Sequence, residues 1–158
     1  MTIRFAMAWV WVALLTFQTV VLWAADGGAS KSDTLQSSLL KLADKNATVR
    51  SEVLLSLAKT GDAKLVTIFE SYRQGSLYVW DDNGTVRVVL CEETKEDDDF
   101  NEIAPLSDPM TRQPILGKDG KQVEILLEEL EEIYADKDDR TQASKAKFFL
   151  ALFSPDPA

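Results

Sequence analysis

Two β-rich runs, Leu77-Tyr78-Val79-Trp80 and Thr85-Val86-Arg87-Val88-Val89-Leu90, flank the tetrapeptide Asp81-Asp82-Asn83-Gly84. Asn-Gly between such runs favours a tight turn whose central residues take positive φ, because that turn matches the twist of a two-stranded ribbon. A β-hairpin spanning residues 77–90 is therefore expected. The same four residues lack the spaced ligands and terminal Glu of a calcium loop, so they are read as turn chemistry.

Before the hairpin the apolar period is helical. Residues 34–43 place Leu35, Leu39, Leu40 and Leu42 on one face, with Asp33 or Thr34 as cap. Residues 47–59 repeat the face with Val49, Val53, Leu54, Leu57 and Ala58 and stop at Thr60-Gly61. A third pattern opens at Asp62, carries Leu65, Val66, Ile68, Phe69 and Tyr72, and stops at Gly75. Helices of about 10–13 residues are marginal alone in water, so they must pack together. The wording of the second and third, Asn46-Ala47-Thr48-Val49-Arg50 and then Gly61-Asp62-Ala63-Lys64-Leu65, looks like a HEAT-type repeat unit, with about one and a half units present.

After the hairpin, the acid run Glu92 to Asp99 reads as a solvated loop, and the prolines of Asp108-Pro109-Met110-Thr111-Arg112-Gln113-Pro114 forbid a regular helix or central strand. Residues 123–134 read as a helix with Val123, Leu126, Leu127, Leu130, Ile133 and Tyr134 inward and five glutamates mostly outward. A last helix, residues 140–152, ends with Phe148, Phe149, Leu150, Leu152 and Phe153 before Ser154-Pro155-Asp156-Pro157. The fold class expected is thus mostly α: a HEAT-like helical domain over residues 34–158 with one inserted β-hairpin, preceded by an N-terminal signal or anchor helix.

That terminal segment is read from its own pattern. Arg4 is the sole charge before residue 26, and Phe5 to Ala25 runs apolar with few interruptions. Ala24-Ala25 before Asp26 supplies small residues suited to cleavage, yet the run is also long enough to span a bilayer, which takes about 20 residues. Residues 1–25 are a signal peptide or membrane anchor, and residues 26–33 a small, polar linker. Everything beyond Asp26 is expected to be extracytoplasmic, in the periplasm or on the outer face of the inner membrane.

The 158 residues suit one domain. A net charge of -9, from 26 acids against 17 bases, excludes nucleic acid as a partner. With no histidine, the usual general base and the commonest metal ligand are gone. Single Cys91 can form no internal disulfide and reads as a half-buried small hydrophobe. There is no Gly-rich phosphate loop, no nucleophile elbow and no metal-ligand spacing. Asn46-Ala47-Thr48 and Asn83-Gly84-Thr85 match a glycosylation sequon, but one starts a helix and the other makes a turn. The chain is therefore expected to be no enzyme, with no catalytic, cofactor-binding or metal residues.

Several stretches occur together in one family's order: Gly75-Ser76-Leu77-Tyr78-Val79, Asn83-Gly84-Thr85-Val86, Asp108-Pro109-Met110-Thr111 followed by Pro114, and Leu152-Phe153-Ser154-Pro155-Asp156-Pro157-Ala158. Over most of residues 35–158 the chain resembles the N-terminal extracytoplasmic region of the permease subunit of bacterial urea ABC transporters, of the branched-chain amino-acid type. In that family the Ser-Pro-Asp-Pro motif leads into further helices and then the transmembrane permease. Nothing after residue 25 here could span a membrane, so transport itself is not carried over. The resemblance implies an accessory domain, as a fragment or a free-standing relative, docking with the permease or its solute-binding protein. Two readings from other classes stand beside it: a small secreted acidic enzyme using paired carboxylates, and a structural envelope protein.

Overall fold

The structure, a computed structural model, describes residues 31–152. The signal or anchor segment, most of the linker and the Ser154-Pro155-Asp156-Pro157 motif lie outside these residues. Four α-helices and six short strands follow one another: α1 (Lys31–Leu40), continued by a 3-10 turn (Lys41–Ala43), α2 (Ala47–Lys59), α3 (Leu65–Gln74), β1 (Leu77–Asp82), β2 (Thr85–Leu90), β3 (Lys95–Glu96), β4 (Glu102–Pro105), β5 (Glu124–Leu126), a 3-10 turn (Leu127–Glu129), β6 (Glu131–Glu132) and α4 (Lys137–Ala151).

Local chemistry explains the boundaries. Asn46 caps α2 by accepting from the Thr48 N–H at 2.9 Å. Gly75 ends α3 at φ 74°, letting the Ser76 N–H reach the Ser71 carbonyl at 3.0 Å. Asp136 and Asp139 form a reciprocal capping box at the start of α4. In the hairpin turn Asn83 and Gly84 both have positive φ, 52° and 90°. The strands pair in the register Leu77 with Leu90 through Asp82 with Thr85.

The expectation of a mostly helical, HEAT-like domain with a single hairpin is overturned. Two three-stranded antiparallel sheets are present, ordered β2-β1-β6 and β3-β4-β5. The largest local correction falls on residues 123–134, expected as a helix. Here β5 pairs with β4 (Ile125 opposite Ala104), and β6 pairs with β1 (Glu132 opposite Tyr78). The reason lies in a second period hidden in the same stretch. Val123, Ile125 and Leu127 alternate, and all three pack on one cluster with Leu130, whereas Ile133 belongs to another. A helix would leave the β1 edge and the β4 edge unpaired, and buried backbone groups need partners. Tyr134, expected inward, is 65% exposed.

The hairpin divides the core. Leu77, Val79, Val88 and Leu90 face the helices, joining Leu39, Leu54, Leu57, Ile68, Phe69, Tyr72 and Leu150. Tyr78, Trp80, Val89 and Cys91 face the other way, against Ala104, Leu106, Leu130 and Ile125. Both faces are covered, which accounts for the continuous apolar run Val88 to Leu90. The β2 edge is closed as well: the Gln36 side chain accepts from the Val88 N–H at 3.0 Å and donates to its carbonyl at 3.4 Å, and Ser107 bonds Leu90 in both directions at 2.9 Å. No helix among the described residues is long and apolar enough to cross a membrane.

Candidate docking site

The carboxylates of the hairpin turn and of the acid run that follows have structural occupations. The Asp81 carboxylate accepts from the Gly84 N–H at 2.6 Å, and Asn83 donates to Asp82 at 3.1 Å, closing the hairpin turn. In the acid run, Asp97 accepts from the Asp99 and Asn101 N–H groups and the Asn101 amide. Those bonds, the Asn101 side chain first, hold its carboxyl below the ordinary aspartate range. Among the described residues no group of three or more acids or thiols could hold a metal ion. Cys91 is buried, and burial above all pushes its thiol up, with Glu92 adding to the effect.

One polar cluster escaped the sequence reading. Arg50 is 8% exposed and donates from Nε to Asp139 at 2.7 Å, from Nη2 to Asp136 at 2.7 Å and from Nη1 to the Asp44 and Lys45 carbonyls. It ties the start of α2 to the cap of α4. The Tyr72 hydroxyl is buried beside this cluster with no hydrogen bond of normal geometry. Burial first, then the Asp139 charge, pushes its pKa up. Arg50, Asp136 and Asp139 make a closed ion cluster, with each guanidinium nitrogen bonded to a protein acceptor.

The open feature lies on the outside of the same helix pair. Leu54, Leu55, Ala58 and Lys59 of α2 and Gln142, Lys145, Ala146 and Phe149 of α4 line a groove of about 500 Å³. Leu54, Ala58 and Ala146 form a buried floor shared with the core. Leu55 and Phe149 stand on the walls at 55% and 45% exposure, and Phe148 and Leu152 beyond them are 73% and 81% exposed. The residues follow helical spacing on both sides, four on α2 and four on α4, so the groove runs along two helices. Contiguous exposed apolar surface of this kind marks an interaction site more often than a solvated face.

A signal for this groove exists in the sequence. Leu55 lies off the inner stripe of α2, and Phe148 to Phe153 holds more apolar residues than one helix face can bury. Of that run as described, Leu150 alone is buried. What the sequence lacks is the pairing: α2 and α4 are brought together across about ninety residues by their shared apolar core and by Arg50 and Ser51 reaching Asp139 and Gln142. Compared with protein-family models, with known proteins and with solved structures, the chain has no match.

Proposed function

We propose that this chain is an accessory extracytoplasmic domain of a urea ABC transporter permease, a fragment of one or a free-standing relative, that docks with a partner in urea uptake and performs no catalysis. The observation that carries the reading is the apolar α2–α4 groove, a surface suited to a polypeptide. The ordered motifs support it. Gly75 ends α3, Asn83-Gly84 turns the hairpin, and the Asp108 carboxylate gathers the Met110 and Thr111 N–H groups into a tight turn. Each is a place where the chain stops or turns, which is where motifs in a fixed order would act on its path. In this reading residues 1–25 export or anchor the chain, and the groove faces the solute-binding protein or the permease.

The test is to mix the full chain with the urea-binding protein and the permease of the same organism and follow complex formation by size-exclusion chromatography. Co-elution with either is expected. Binding to neither, together with hydrolysis of a sugar or peptide substrate by the chain alone, would replace this reading with the secreted acidic enzyme. A reporter active only in the cytoplasm, fused after Ser32, is expected to be silent; strong activity would refute the location.

A further inference from the structure

We infer that the α2–α4 groove receives an amphipathic helix of a partner protein, one whose apolar stripe is flanked by carboxylates. This rests on the docking reading above and names the chemistry of what docks.

The shape comes first. α4 already packs against both α2 and α3, so laying helices into the valleys of this layer is how the layer itself is built. The groove is the next valley. Ala58 and Ala146 keep its floor shallow enough for another backbone to approach, while Leu55 and Phe149 rise on either side. The lining runs from Leu54 to Lys59 on α2 and from Gln142 to Phe149 on α4, roughly 8–10 Å at 1.5 Å per residue. That accommodates about two turns of a partner helix, with anchors at i, i+3, i+4 and i+7. An extended strand is a poor occupant. The walls are helices whose backbone groups bond internally, and a strand's own N–H and C=O groups would be buried without partners.

Charge selects the flanks. In a chain with 26 acids and 17 bases, the described residues that line the groove include two lysines, Lys59 and Lys145, and no carboxylate. The lysines stand on opposite walls, both are exposed, and among the described residues neither forms an ion pair. A helix in the trough would carry a row of residues past each wall, and Glu or Asp there would meet an ammonium on both sides. A second copy of this chain, related by a two-fold axis, would instead set lysine against lysine. An anionic bilayer is flat, cannot fill a concave trough, and is repelled by a chain of net charge -9.

The experiment places the full chain in discs of zwitterionic lipid, with empty discs as the blank. The probe is a fluorescein-labelled, lactam-stapled helical peptide with Leu at i, i+3, i+4 and i+7 and Glu on both flanks, followed by anisotropy. A peptide with Lys in place of every Glu is the comparison. Saturable binding of the Glu peptide is expected, weakened about tenfold or more by Leu55→Asp, an exposed position whose change leaves the fold intact by circular dichroism. Lys59→Glu with Lys145→Glu is expected to reverse the preference between the two peptides. Equal binding of both peptides, or no binding of either, overturns the inference. So does lysine-dependent flotation with phosphatidylglycerol vesicles without peptide binding, which would make the groove a headgroup site. If the Glu peptide binds while no transporter component does, this inference stands and the urea reading falls. If a transporter component binds and Leu55→Asp leaves that complex untouched, the reverse holds.

Discussion

Arg50 Nε donates to Asp139 Oδ2 at 2.7 Å, joining two side chains that are 10% and 3% exposed and 89 residues apart in sequence. The pair links the first turn of α2 to the capping box of α4 and so sets the two walls of the groove. Arg50→Met should destabilise the fold by roughly 3–5 kcal/mol, because it leaves a buried carboxylate without its counter-ion. Adding Asp139→Leu should recover a large part of that loss. Urea denaturation of the two single variants and the double variant measures the coupling; additive losses would show that the pair is not linked.

The same cluster sets two pH limits. The Asp136 carboxyl lies below its ordinary 3.8, held there first by the Asp139 N–H, against burial, and then by Asp138 N–H and Arg50. A depressed folded value contributes stability that is present above the unfolded value and is lost as pH falls through the folded one. Asp136→Asn should therefore flatten the decline in melting temperature below pH 4, approximately the ordinary range. Tyr72 is raised above its ordinary 10.0, so its contribution is present below pH 10 and is lost as pH climbs toward the raised value. Tyr72→Phe should remove that alkaline decline and change stability at neutral pH by about 1 kcal/mol or less, since the hydroxyl lacks a well-formed bond.

Neighbouring leucines on α2 should part company. Leu57 is 5% exposed inside the helical core, and Leu57→Ala should cost about 2–5 kcal/mol through the cavity it leaves. Leu55 is 55% exposed on the groove wall, and Leu55→Ala should fall within about 0.5 kcal/mol. Paired denaturation curves test the contrast, and equal losses would move Leu55 into the core.

Gln36 acts as a one-residue strand beside β2. Removing its amide by Gln36→Leu exposes the Val88 N–H and carbonyl without a partner and should cost on the order of 1–3 kcal/mol. The uncovered edge should also raise aggregation during refolding, read by light scattering, relative to Gln36→Glu, which keeps an acceptor for the Val88 N–H.

Local pattern alone carried the reading of α2 and α3, the Gly75 stop and the Asn83-Gly84 hairpin, because caps, positive-φ residues and apolar stripes act within one or two turns of chain. Residues 123–134 went the other way. Their helical stripe and their alternating stripe overlap at Val123 and Leu127, and the unpaired edges of β1 and β4 decide between them. In the sequence Arg50 appears only as the end of the stretch Asn46-Ala47-Thr48-Val49-Arg50; its burial exists because Asp136 and Asp139 arrive from far along the chain. The groove is of the same kind. Leu55 and Phe149 stand out in sequence as apolar residues beyond what one face needs, but a valley between helices is a property of two elements at once, and their adjacency belongs to the tertiary fold.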